Sequence, residues 1–140
     1  MSANQGWNSD AAKSEQVLSI LVVDDEPDIL HLLSAVLGVF GEFDVSTADG
    51  AASAFARIAE AETPFDVLLL DIQMPELTGI ELCKVLRKTP GYESTPIIMV
   101  SAMAEQSYKL QATQNGADGF IVKPFEIDDF RREIFRHLVI

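Results

Sequence analysis

The sequence predicts a doubly wound α/β domain, a three-layer sandwich in which a parallel sheet of five strands is covered by helices on both faces. Short apolar runs alternate five times with segments whose apolar residues recur at helical spacing. Continuously apolar runs of this kind are typical of parallel strands buried on both faces. The 140 residues suffice for one domain, and 48% of them are hydrophobic, so a substantial core can form. Right-handed crossovers between the strands complete the layered arrangement.

In the first half of the chain, strand and helix patterns alternate. The uninterrupted apolar run at residues 17–23 predicts the first strand. Residues 28–40 carry apolar side chains at positions i, i+3, i+4 and i+7, which predicts an amphipathic helix. A short second strand is predicted at residues 43–47. Residues 51–61 are rich in alanine and predict the second helix, and the fully apolar residues 67–70 predict the third strand.

The same alternation continues in the second half. Residues 77–87 place their apolar side chains on one face and predict the third helix. The apolar run at residues 97–100 predicts the fourth strand. A less apolar helix is predicted at residues 105–115, with a glycine directly beyond it. Residues 119–122 predict the last strand, and apolar residues at helical spacing between 127 and 138 predict the final helix.

Composition excludes several classes of function. Ten Lys and Arg residues against 22 Asp and Glu residues leave a net charge of −12, so we expect no direct binding of nucleic acid. The single cysteine, Cys83, excludes a disulfide framework and a thiolate zinc site. We expect no membrane association, because no apolar run is long enough to span a bilayer. Residues 1–16 lack the apolar centre of a signal peptide and are interpreted as a flexible leader before a cytoplasmic domain at residues 17–140.

A set of polar residues directly follows the predicted strands. It consists of Asp24, Asp25, Asp71, Ser101 and Lys123. In a doubly wound sheet, ligands bind beyond the carboxyl ends of the strands, near the point where the strand order reverses. If the order is 2-1-3-4-5, the first and third strands are neighbours, and their acidic residues converge at one crevice with the hydroxyl and the ammonium beside them.

The charges of this set favour a divalent cation. Three carboxylates beside one ammonium leave two uncompensated negative charges, and clustered carboxylates raise one another's pKa unless a cation is present. The small number of carboxylates leaves room for water ligands, which suits Mg²⁺ better than Ca²⁺. No histidine or cysteine lies nearby in the sequence to favour zinc.

A Mg²⁺ ion with a lysine and a hydroxyl beside it is suited to bind a phosphoryl group. Asp71 is the best candidate for the acceptor, because carboxylate nucleophiles can form aspartyl phosphates. Asp24 and Asp25 would then hold the metal ion. Lys123 would pair with one phosphoryl oxygen, and Ser101 would donate a hydrogen bond to another.

Four motifs carry a resemblance to a known family. The segments LVVDDEP, LLLDIQMPELTG, PIIMVSA and FIVKPF together resemble the receiver domain of bacterial two-component response regulators, of the chemotaxis-regulator type. The resemblance extends over residues 17–140. It implies a flavodoxin-like fold with the strand order 2-1-3-4-5. It also implies a regulatory phosphoacceptor domain that is not an enzyme beyond catalysing its own phosphorylation and dephosphorylation.

The resemblance further implies a set of metal ligands. Asp25 and Asp71 would bind Mg²⁺ directly, together with the backbone carbonyl of Gln73. Asp24 would act through a water molecule. Mn²⁺ is an alternative ion at such sites.

The family's switch also maps onto this sequence. The resemblance implies that the Ser101 hydroxyl moves toward the phosphoryl group and that the ring of Phe120 turns into the vacated space. Gln73 and Met103 flank the path of the attacking water, so we expect them to tune the rate of dephosphorylation. The peptide bond before Pro124 is expected to be cis. From the residues alone, a simple core role for Phe120 is a serious alternative.

The resemblance implies protein partners for this switch. The phosphodonor would be a sensor histidine kinase or a histidine phosphotransfer protein, and small acyl phosphates would substitute for it. The phosphorylated domain would act on an unidentified downstream protein. It would be a monomer or a weak dimer whose formation is linked to phosphorylation.

Two other functions remain as alternatives. A phosphatase or phosphotransferase of the haloacid-dehalogenase type also uses an aspartyl phosphate and Mg²⁺, but it carries a D-x-D motif directly after the first strand. Asp24 and Asp25 are instead adjacent, and Asp71 lies far along the chain. The second alternative is a receiver that has lost phosphorylation and serves only as a docking module. The complete set of acids, hydroxyl and lysine argues against it.

Overall fold

One parallel sheet organises residues 17–138, the part of the chain that the computed structural model describes. Its strands are β1 (Leu18–Val23), β2 (Phe43–Ala48), β3 (Val67–Leu70), β4 (Ile97–Ser101) and β5 (Gly119–Val122). They are hydrogen-bonded in the order β2-β1-β3-β4-β5, and every pairing is parallel. The predicted fold class and strand order are therefore confirmed. The predicted leader at residues 1–16 lies outside the described residues.

Five helices connect and cover the strands. They are α1 (Pro27–Phe40), α2 (Ala51–Glu60), α3 (Gly79–Leu86), α4 (Gln106–Gln114) and α5 (Ile127–Arg136). No helix among residues 17–138 has both the length and the hydropathy needed to cross a membrane.

The sheet separates two apolar cores. Ile20 and Val22 of β1 face the core beneath α1 and α5, whereas Leu21 and Val23 face the core beneath α2, α3 and α4. Successive side chains of a strand point to opposite faces, and here both faces are covered. This two-sided burial explains why the sequence shows uninterrupted apolar runs instead of alternation.

Two element boundaries differ from the prediction in ways that affect the sheet edge. Ser101 is the last residue of β4, paired with Val122, rather than the first residue beyond the strand. Helix α3 begins at Gly79 because Thr78 is its N-cap and forms a reciprocal capping box with Glu81. The predicted helix at residues 77–87 therefore started two residues too early: Leu77 belongs to the loop that follows β3, and Thr78 is the cap.

The side chain of Arg87 joins the loops at the opposite end of the sheet. Its guanidinium donates hydrogen bonds to the carbonyl oxygens of Tyr92, Thr95 and Gly116 and to the carboxylate of Asp118. The guanidinium is largely buried, with 17% of the side chain exposed. A planar group with five donors suits this role. Arg87 thereby fastens the segment between α4 and β5 to the end of α3.

Candidate functional site

The backbone of the sheet brings two distant acidic residues together. The N–H of Asp24 donates to the carbonyl of Ala48, and the N–H of Asp71 donates to the carbonyl of Val23. Val23 is also paired with Leu70 in the register of β1 and β3. Asp24 and Asp71 therefore leave neighbouring strands at the same edge, as the sequence predicts.

Three carboxylates form a cluster at this edge. Asp24, Asp25 and Asp71 each offer an oxygen within 4.8 Å of the others. Asp24 and Asp71 are buried, and Asp25 is half-buried. Oxygen ligands on one octahedral Mg²⁺ lie no more than about 4 Å apart, so only a small adjustment would let these oxygens share an ion. A cluster that offers only carboxylate oxygens suits a hard divalent cation.

Lys123 supplies the positive charge beside the cluster. Its Nζ lies 2.9 Å from Oδ2 of Asp24 and 3.7 Å from Oδ1 of Asp71, so the closer ion pair is with Asp24. The sequence did not indicate which acid the lysine would prefer. Asp24 also accepts a hydrogen bond of 2.9 Å from the backbone N–H of Glu26, which engages its other oxygen. The Lys123–Pro124 peptide bond is cis.

The hydroxyl of Ser101 lies at the same edge. The backbone N–H of Lys123 donates to the carbonyl of Ser101, which joins the ends of β4 and β5. Ser101 is fully buried, and its Oγ accepts a hydrogen bond of 3.1 Å from the N–H of Met103. The side chain of Met103 is half-buried, and that of Gln73, two residues after Asp71, is exposed.

Phe120 lies on β5, paired with Met99 of β4. Its ring is half-buried and packs against the core beneath α2, α3 and α4. The Nζ of Lys109 on α4 lies 5.8 Å from the centre of this ring. The sequence analysis did not identify this contact, because a single lysine on a polar helix carries no signal that would mark it.

Gly79 is a site residue that the sequence analysis missed. A Cβ atom at this position would lie 1.9 Å from the backbone oxygen of Asp71. The N–H of Gly79 donates to the carbonyl of Ile72, which holds the start of α3 against the segment after β3. A glycine inside the helix predicted at residues 77–87 was the available signal, since glycine disfavours helices unless close packing requires it.

The environment of Asp71 disfavours its ionised form. Burial, followed by the negative charge of Asp24, raises the pKa of Asp71 from its ordinary value of 3.8 to about 6. Asp25 contributes further to this rise, whereas Lys123 and a hydrogen bond from the Gln73 backbone oppose it. The single ammonium therefore compensates only part of the negative charge, as the sequence analysis expected.

The raised pKa of Asp71 affects stability in the metal-free protein. The free energy of unfolding should fall as the pH rises from 3.8 to about 6. In this range the folded protein retains a proton that the unfolded chain has released, so raising the pH favours the unfolded chain. The difference in pKa corresponds to about 3 kcal/mol.

Urea denaturation in a chelator tests this expectation. At about pH 7, Asp71→Asn should exceed the wild-type protein in stability by up to about 3 kcal/mol, and the difference should shrink toward about pH 4. A difference that is independent of pH would contradict the assignment of this titration to Asp71.

A comparison with protein families identifies one that matches most of the chain. The family model described as "Response regulator receiver domain" matches residues 20–135.

Curated relatives include regulators and a kinase. The transcriptional regulatory protein KdpE of Mycobacterium tuberculosis is 42% identical over 111 residues, a match that spans 79% of this chain and 46% of that protein. The signal transduction histidine-protein kinase BarA of Escherichia coli is 30% identical over 125 residues, 89% of this chain and 13% of that protein. This chain thus spans about half the length of KdpE and a smaller part of BarA.

Solved structures share the fold. The chemotaxis protein CheY4 of Vibrio cholerae superimposes with a TM-score of 0.81 at 33% identity, covering 87% of this chain and 99% of that one. The receiver domain of the sensor histidine kinase PA1611 from Pseudomonas aeruginosa PAO1 has a TM-score of 0.76 at 25% identity, covering 86% and 96%. The latter structure has a magnesium ion coordinated in its active site cleft.

Proposed function

We propose, from the premise that this chain belongs to the family of response regulator receiver domains, that it is a phosphorelay switch that accepts a phosphoryl group on Asp71. Domains of this family are regulatory phosphoacceptors rather than enzymes acting on a separate substrate. The observation that carries the proposal is the meeting of three carboxylates, Lys123 and Ser101 at one edge of the sheet. The receiver domain would comprise residues 17–140, after the proposed leader at residues 1–16.

The proposed reaction is a phosphoryl transfer to a carboxylate. An oxygen of Asp71 forms a bond to phosphorus while the bond from phosphorus to the donor breaks, and the donor leaves with the electron pair. Lys123 already lies 3.7 Å from the Asp71 carboxylate, so it is placed to pair with a phosphoryl oxygen. Ser101 would donate a hydrogen bond from its hydroxyl to another oxygen, and in the present structure its Oγ accepts one from the Met103 N–H.

Mg²⁺ is the proposed cofactor, with Mn²⁺ as an alternative. Asp25, Asp71 and the backbone carbonyl of Gln73 would hold the ion. Asp24 would act through water, because its oxygens already accept hydrogen bonds from Lys123 and the Glu26 backbone. When bound, the ion would neutralise negative charge on the phosphoryl oxygens.

The proposed output is a change of conformation and of partner binding. The Ser101 hydroxyl would turn toward the phosphoryl group, and the ring of Phe120 would move into the space that the hydroxyl vacates. This is a two-state equilibrium biased by a local change of charge. Gln73 and Met103, the residues beside Asp71 and Ser101, would tune how fast water removes the phosphoryl group.

The proposed partners follow from the family. The donor would be a sensor histidine kinase or a histidine phosphotransfer protein, and the recipient of the signal an unidentified protein in the cytoplasm. The net charge of −12 supports signalling through protein contacts rather than direct binding of nucleic acid. The domain would be a monomer or a weak dimer linked to phosphorylation.

Incubation with acetyl phosphate and Mg²⁺ tests the proposed activity. Intact mass spectrometry should show a gain of one phosphoryl group, and a chelator should suppress the gain. No gain in the presence of Mg²⁺ would favour a docking module without phosphorylation. Multiple turnover of a small phosphoester without any protein partner would instead favour a phosphatase of the haloacid-dehalogenase type.

A further inference from the structure

We propose that Lys109 on α4 is a positioning residue for Phe120 and favours the unphosphorylated state of the domain. This inference rests on the proposed function, in which Phe120 moves after phosphorylation. Lys109 Nζ lies 5.8 Å from the centre of the Phe120 ring, within the range of a cation–π interaction. The ring is therefore held between the core on one side and an ammonium on the other.

The ring is the partner that the structure shows for this ammonium. Among residues 17–138, no carboxylate oxygen lies within 4 Å of Lys109 Nζ, although the domain is rich in acidic residues. Lys109 is also half-buried, so its aliphatic part lies against the protein. Partial removal of water strengthens the attraction between a cation and an aromatic face.

The side-chain hydrogen bonds that join helix α4 to the rest of the described structure lie at its C-terminal end. Arg87 donates two hydrogen bonds, of 3.0 and 2.7 Å, to the carbonyl of Gly116 just beyond the helix. At the other end, Glu105 provides no side-chain cap. Ala112 is the one buried residue of α4, all of whose residues the structure describes. The position of the N-terminal half of α4 therefore depends on the partly buried contacts of Tyr108 and Lys109.

These contacts couple the ring to the helix. If Phe120 leaves its present position, Lys109 loses the aromatic face, and α4 loses one of the few contacts of its N-terminal half. The interaction thus stabilises the present arrangement and opposes the one that phosphorylation selects. Linkage requires the reverse as well, so that weakening this contact increases the affinity of the domain for a phosphoryl group.

A double-mutant cycle between Lys109 and Phe120 tests the inference. The probe is beryllium fluoride, a phosphoryl mimic, titrated in the presence of Mg²⁺ and followed by NMR. Lys109→Met, which keeps the aliphatic chain but removes the charge, should increase the affinity for the mimic about two- to fivefold. Lys109→Arg should behave like the wild type, because a guanidinium also binds an aromatic face.

The control variant is Lys84→Met. Lys84 is exposed on α3 and has no aromatic partner among the described residues, so the variant makes the same change of net charge without touching Phe120. Its affinity for the mimic should not change. In metal-free protein, Lys109→Met should also shift the NMR signals of the Phe120 ring, whereas Lys84→Met should leave them in place.

The outcomes separate the inference from the proposed function. An affinity gain in Lys109→Met that disappears in a Phe120→Leu background supports the inference. An equal gain in that background, or an equal gain in Lys84→Met, overturns it, as does an unchanged affinity in Lys109→Met. Failure of the wild-type protein to bind the mimic would instead refute the proposed phosphoryl site.

Discussion

The Asp71→Asn variant should acquire no phosphoryl group from acetyl phosphate under conditions that phosphorylate the wild-type protein. A carboxamide lacks the anionic oxygen that forms the acyl phosphate bond. Asp71 is buried and lies 3.7 Å from Lys123, and its strand pairs with β4, which ends at the Ser101 hydroxyl. Intact mass spectrometry in Mg²⁺ measures the result directly.

Asp44→Asn is the matched control for this experiment. Asp44 is exposed on the edge strand β2, and its side chain takes part in no ion pair or hydrogen bond with other described residues. The same chemical change should therefore leave phosphorylation at the wild-type level. If Asp71→Asn still gained a phosphoryl group, the acceptor would be another side chain and the proposed role of Asp71 would be wrong.

Gly79→Ala should lower the free energy of unfolding by at least about 2 kcal/mol, although alanine favours helices more than glycine does. The added methyl group would lie 1.9 Å from the Asp71 carbonyl oxygen, and that obstacle is backbone rather than a flexible side chain. Relief requires α3 or the segment after β3 to move. Because that segment carries the proposed acceptor, phosphorylation should slow by roughly tenfold or more.

Gly38→Ala provides the comparison. Gly38 lies within α1, and a Cβ atom there would meet nothing within 4 Å. That variant should be more stable than the wild type by up to about 1 kcal/mol, since only the difference in helix preference remains. Urea denaturation and acetyl phosphate labelling of both variants measure the contrast. If Gly79→Ala were as stable and as readily phosphorylated as Gly38→Ala, the close approach of residue 79 to the Asp71 backbone would matter neither for stability nor for phosphorylation.

Much of the fold followed from local patterns. The apolar run that became β1 had to be covered on both faces, and the structure buries Ile20 and Leu21 in opposite cores. Boundaries were less accurate where a single side chain decides them. The hydroxyl of Thr78 ends the loop and starts α3, and the pairing with Val122 keeps Ser101 within β4.

The candidate site could be anticipated because position along a parallel strand determines which edge a residue reaches. Asp24, Asp71 and Lys123 each follow an apolar run, and parallel strands deliver the residues that follow them to one edge. The preference of Lys123 for Asp24 over Asp71 could not be anticipated. It depends on a difference of less than an ångström between two distances.

The amino-acid sequence by itself determined the layered fold, the strand order expected from the family resemblance, and the edge at which the acids, the hydroxyl and the lysine meet. Periodicity and strand direction are local properties, and they suffice for the layers and for the shared edge, whereas the strand order came from the resemblance. Only the tertiary structure decided that Gly79 lies against the backbone of Asp71 and that Lys109 covers Phe120. Such contacts arise from the packing of separate elements at ångström distances, and no pattern along the chain encodes them.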